Sequence, residues 1–212
     1  YQKQYGGGNR DVIGVLGAEE ANLLHARSLA RSNGWRDRVI GTMQGLRVFY
    51  QHTGRLAEWS RLVEEIVPDF VDPVTDGPLP GMKEHWTLVM GYRVGLARNA
   101  RQWEQAERLQ SADVAWNRQQ AAPILAKPPQ AWTAGEKSDV RTLASSLHEL
   151  SQIQREQGSA NCVAGYLEAI SLAEQIQDSQ GAATCAFNLG HAYMDLPGIR
   201  ELALAEGGYQ RS

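Results

Sequence analysis

The feature that most limits the fold is the way helix-forming stretches of similar length are cut apart by single glycines. From Ala18 onward the chain is rich in Ala, Leu, Glu, Gln and Arg, residues that cost little to place in a helix. Gly34, Gly54, Gly158, Gly181 and Gly198 each fall between two such stretches, where a C-cap or tight turn is wanted. Alternating runs of Val, Ile and Thr of strand length are missing. Two longer interruptions are proline-dense: Pro68, Pro73, Pro78 and Pro80 within 68–80, and Pro123, Pro128 and Pro129 within 121–137. Proline removes a helix donor and clashes with the preceding turn, so a helix is expected to stop at each. The pattern predicts helices over 18–32, 36–53, 55–67, 82–100, 102–120, 138–157, 160–177, 181–195 and 200–211. Residues 1–17 are expected to form a flexible, weakly structured N-terminal arm, and 18–212 an all-α domain.

Composition narrows the function classes. Of 212 residues, 42% are hydrophobic and 21% charged, which places the chain among globular and not disordered proteins. The net charge of −3 argues against nucleic acid as a partner, because phosphate binding needs a concentrated basic surface. No apolar run approaches the ~20 residues that cross a bilayer, and no secretory signal opens the chain. No membrane partner and a cytoplasmic location are therefore expected. The absent initiator Met fits a piece of a longer protein. Cys162 and Cys185 lie outside any Cys-x-x-Cys pair and inside helical apolar patterns. They are expected to be buried small hydrophobes in a reducing compartment, with a disulfide between them left open at this stage.

The helical stretches repeat. Leu189-Gly190 is followed by Tyr193, a turn with Gly198, then Ala205 and Tyr209. Before it, Leu147, Leu150 and Ser151 lead to Gly158, then Cys162, Tyr166 and Ala169. Leu150 and Leu189 are 39 residues apart, Tyr166 and Tyr209 43. Leu46, Tyr50, Gly54, Leu56, Trp59, Val63, Ile66 and Pro68 give the same skeleton near the front. Met90, Val94, Ala97, Trp103, Ala106 and Leu109 fit less well, with Arg93 where leucine is usual. Ala21, His25 and Ser28 look like the second helix of a truncated earlier unit. This pattern, over about residues 18–212, resembles the tetratricopeptide repeat. It is similar to the long-period variants, of roughly 40 residues, in bacterial signalling proteins and kinesin light chains. The resemblance implies a right-handed superhelical solenoid of antiparallel helix pairs, about four pairs plus a leading half pair. The inserts at 68–80 and 121–137 depart from it.

The resemblance also implies a site. In this family the first helix of each pair lines a concave groove, here Gln44, Val48, Gln51 and His52; Tyr92, Gly95, Arg98 and Asn99; His148, Glu149, Gln152, Arg155 and Glu156; Phe187, Asn188, His191, Met194 and Asp195. Asn188 has the donor and acceptor to hold a ligand backbone. Arg98 and Arg155 suit acidic side chains or a terminal carboxylate. The lysine–asparagine–arginine clamp of the chaperone-tail binders is present only in part, as Asn188 and Arg155. The implied function is a scaffold that binds a protein or peptide segment in the groove. An alternative is the regulatory or sensor repeat region of a larger signalling ATPase or protease. Incomplete end repeats leave an apolar face uncapped, so end-to-end self-association is expected as well.

Catalytic signatures are missing. His25, His52, His85, His148 and His191 make no zinc-helix motif, there is no G-x-S-x-G elbow, and Gly6-Gly7-Gly8 lacks the Lys and Ser/Thr of a phosphate loop. No enzyme, cofactor or metal is expected. Among six tryptophans, Trp59 and Trp103 are expected in the core, while Trp132, in the second proline-rich insert, is expected to fold back over the helices or anchor a contact.

Overall fold

The computed structural model describes residues 12–210. The described residues form ten α-helices: α1 (Val12–Ala18), α2 (Glu20–Ser32), α3 (Arg36–Thr53), α4 (Leu56–Ile66), α5 (Lys83–Asn99), α6 (Trp103–Leu125), α7 (Ala134–Glu156), α8 (Cys162–Gln175), α9 (Ser179–Asp195) and α10 (Leu202–Gln210). Single 3-10 turns occupy Val67–Asp69, Pro129–Ala131 and Pro197–Ile199. The only β pairing among the described residues is one isolated bridge between Val71 and Pro78. The all-α expectation holds. None of these helices is long and apolar enough to cross a membrane.

Three helices depart from the sequence expectation by more than two residues, for reasons of packing or capping. Helix α1 falls where a flexible arm over 1–17 was expected. Its glycines Gly14 and Gly17 disfavour helix by about 1 kcal/mol each, but Val12 and Leu16, one turn apart, are buried. The rest of the expected arm lies outside the described residues. Helix α6 runs through Pro123 to Leu125. The proline sits in the last turn, and Ala121 and Ile124 beside it are buried against Trp132 and α7. Helix α7 starts at Ala134 and not 138, fixed by a capping box: the Glu136 amide donates to Thr133 Oγ1 (3.2 Å), and the Thr133 amide donates to Glu136 Oε2 (2.8 Å). The second interruption thus narrows to 126–133.

Packing divides the described residues into two compact units, the first ending at Leu96 and the second beginning at Ala97. The first is built on Leu16, Met43, Leu46, Tyr50, Trp59, Ile66, Phe70, Trp86 and Met90, all essentially buried. The proline-rich stretch after α4 belongs to this core. Asp72 accepts from the amides of Val74 and Thr75, the Trp86 indole donates to the Asp76 carbonyl (2.8 Å), and Arg93 pairs with the Asp76 carboxylate. Trp86, unassigned from sequence, is therefore a core residue, whereas Trp103 is only half-buried.

In the second unit α6, α7, α8, α9 and α10 each pack on the next. Gly158 ends α7 at positive φ (81°). Its amide donates to the Arg155 carbonyl, and the Ser159 amide to that of Gln154, a Schellman turn that only glycine adopts without strain. One close approach occurs twice. A side chain added at Gly165 of α8 would meet Ser151 and the Leu147 carbonyl of α7. One added at Gly208 of α10 would meet Gly190 and the Ala186 carbonyl of α9, at 2.9 and 2.8 Å. The second set lies 39 residues on in the first helix and 43 on in the second, the offsets found in the sequence. Trp132 folds back as expected, 6% exposed, its indole donating to the Lys127 carbonyl.

Candidate groove in the second unit

Helices α7 and α9 flank a cavity of about 370 Å³ lined by Arg141, Ser145, His148, Glu149, Asp178, Gln180, Gly181, Thr184 and Cys185, with Ala144 and Ala173 at its base. Of the residues expected to line a groove, Arg98, His148, Gln152, Arg155 and Asn188 form contacts in or beside this region. Arg98 donates to Glu149 (3.3 Å) and Glu156 (2.7 Å). His148 has Cys185 Sγ at 3.1 Å from Nδ1 and Gln152 Nε2 at 2.7 Å from Nε2. With the Gln152 amide as donor, His148 Nε2 is the acceptor and Nδ1 carries the proton toward the sulfur. Arg155 donates to the Asn188 side-chain oxygen (3.2 Å) and backbone carbonyl (3.4 Å), and the Asn188 amide nitrogen donates to the Thr184 carbonyl. Asn188, expected to offer its amide to a ligand, spends much of it inside the protein and orients Arg155.

The charges differ in how they are held. Arg98 lies between two carboxylates. Arg141 donates to Asp178 (2.9 Å), which also accepts the Gly181 amide at the start of α9. That amide first, then Arg141, holds the Asp178 carboxyl below its usual value. Arg155 instead rests on neutral acceptors. Burial lowers the His148 pKa, helped by Arg155, and pushes the Cys185 thiol up to about 11. The imidazole and thiol therefore meet as neutral groups. Both cysteines are free and buried.

Other expected residues fall elsewhere. His191 is wedged between Phe187 and Tyr209, ring centroids at 4.6 and 5.5 Å. Asp195 and Asn99 are exposed near the ends of α9 and α5. In the first unit, Gln51 is exposed and Gln44 half-buried on α3. Tyr92 is corrected: it is 3% exposed, set edge-on against Trp59 at 5.2 Å with the Arg47 guanidinium over its face. Burial raises its phenol to about 12, so it is a core residue and lines no groove.

Sequence reasoning missed Arg141, Asp178, Thr184 and Cys185 as cavity residues. The only signal was Asp178 three residues before Gly181, an N-cap spacing. It also missed a buried polar cluster between α6 and α7. Ser146 Oγ donates to Asp113 Oδ2 (2.6 Å) and accepts from Asn117 (2.9 Å), while Gln110 donates to the Ser146 carbonyl (3.1 Å). Among the described residues no group of three or more His, Cys, Asp or Glu is placed to hold a metal ion.

Compared with family models, with curated proteins and with solved structures, the chain matches none.

Proposed function

We infer that the second unit is a binding module that holds an extended segment of another polypeptide along α7 and α9, in the manner of the tetratricopeptide repeats its sequence resembles. The observation that carries this reading is the cavity between α7 and α9, bordered by His148 and Glu149 from one first helix and Thr184 and Cys185 from the next. A volume near 370 Å³ accommodates one or two side chains of a segment lying across the helices. The close approach repeated at offsets of 39 and 43 residues supports stacked helix pairs of the long-period kind and, with them, the right-handed solenoid the resemblance implies. Arg155, held by neutral acceptors in front of Asn188, favours a segment with an acidic side chain or terminus at that point. Binding is favoured over catalysis because the one thiol–imidazole pair in the cavity is held neutral, the opposite of an activated nucleophile. Free thiols fit a reducing, cytoplasmic setting.

Selection of a displayed peptide library on the purified chain tests this. Enriched peptides should bind the intact chain and lose at least about tenfold in affinity, roughly 1.4 kcal/mol, to Arg155→Glu and to Thr184→Trp, with unchanged circular dichroism. No enrichment, or peptides indifferent to both substitutions, would refute it.

A further inference from the structure

The two hairpins of the second unit match in sequence offset but differ in what covers them. On the first, the face carrying His148 and Tyr166 (centroids 5.8 Å) meets α9: Cys185 sits on His148, Asn188 on Arg155, and Tyr166 is fully buried. Counting on by 39 and 43 residues, His148 becomes Phe187, Arg155 becomes Met194 and Tyr166 becomes Tyr209. The aromatic pair recurs, with Phe187 and Tyr209 at 5.7 Å. Phe187 and Met194, however, are 45% and 37% exposed. This face is built like the one that α9 covers.

The covering helix α9 and its N-cap meet α7 through Asp178, Cys185 and Asn188, with Gly181 between them on the same stripe, facing the cavity. Helix α3 carries Arg38, Gly41, Gly45 and Val48 at the same spacing. Arg38, Gly41 and Gly45 line a cleft of about 390 Å³ against Leu23, Leu29 and Trp35. That cleft is large enough for a phenyl ring, and Leu29 and Trp35 are half exposed at its rim. Charge agrees with shape. Among the described residues, Arg38 is the only charged one lining the cleft, while Asp195 and Glu206 are the only Asp, Glu, Lys or Arg in α9 and α10.

We propose that copies of this chain associate head to tail, the Phe187–Met194 face of one seated in the α2–α3 cleft of the next. The contact is heterologous, joining two different surfaces of the chain. Phe187 and Met194 stand where the resemblance placed groove residues, but neither lines the cavity between α7 and α9, so the proposal survives failure of the binding reading given above.

Sedimentation velocity with Phe187→Glu and Gly41→Glu tests it; no heavy atom outside its own helix lies within 4 Å of where a side chain at Gly41 would start. The unaltered chain should show a weight-average mass that rises with concentration above that of the monomer. Each variant alone should stay monomeric, and an equimolar mixture should form a one-to-one complex and nothing larger, because each retains one working face. Met194→Lys and Leu29→Lys serve as the pair if circular dichroism shows either first variant misfolded. A monomeric parent chain, a variant that still assembles, or a mixture that stays monomeric would each overturn the proposal.

Discussion

Asp113 is the residue whose chemistry departs furthest from its sequence appearance. On α6 it reads as one more helix-surface acid, yet it is 7% exposed, with Oδ1 lacking a hydrogen-bond partner. Burial raises its pKa against the lowering effect of Ser146, Asn117 and Gln110. A carboxyl with a raised folded pKa binds its proton more tightly folded than unfolded. Its favourable contribution is therefore complete below the unfolded value and is lost as pH climbs through the folded one. Asp113→Asn removes that titration while keeping an oxygen for Ser146 and Gln110. In urea titrations the variant should gain on the parent chain as pH rises from 4 to 8, ending about 1 kcal/mol more stable. Equal slopes with pH would show that Asp113 ionises freely. No local pattern reveals such a residue, because burial of one polar position depends on which neighbour lies over it. Tyr92 failed in the same way: its place on a first helix was legible, but the Trp59 ring that covers it was not.

At the scale of elements, caps and close approaches carry most of the specificity. Thr133 and Glu136 form the capping box that starts α7. Thr133→Ala should lower stability by about 1 kcal/mol in chemical denaturation, whereas Ser138→Ala, five residues into the helix and exposed, should change it little. Neighbouring glycines of α10 provide a second contrast. A methyl at Gly208 would meet backbone of α9 within 3 Å, while one at Gly207 meets nothing within 4 Å. Gly208→Ala should destabilise by about 1–3 kcal/mol because backbone cannot yield as a side chain can. Gly207→Ala should stabilise by up to about 1 kcal/mol through helix propensity alone. Thermal unfolding of the two variants distinguishes them; matching shifts would show that α10 does not lie against α9 as described. The sequence carried the offsets that locate this approach, since small residues recur at 39 and 43. It concealed α1, whose glycines mask two buried anchors.

For the molecule as a whole, the second unit predicts a gradient of stability. Helix α8 is packed by α7 on one side and α9 on the other, while α10 packs chiefly on α9. In a linear array, each helix draws its stability from its neighbours. Amides of α8 should exchange with solvent markedly more slowly than those of α10, as hydrogen exchange read by mass spectrometry will show. Equal protection would mean that the unit opens only as one cooperative block. If copies stack as proposed above, protection of α10 should rise with protein concentration and stay low in Phe187→Glu.

The sequence alone determined that the chain is helical, nearly where each helix lies, and the offsets of 39 and 43 residues at which its helix pairs repeat. These follow from propensity, capping and periodicity, which act over a few residues. Tertiary structure decided which polar groups are buried, that Trp86 and Tyr92 belong to the core, and that Arg155 and Asn188 meet while His148 turns to Cys185. Those outcomes depend on the distance between residues dozens of positions apart, and no local preference encodes it.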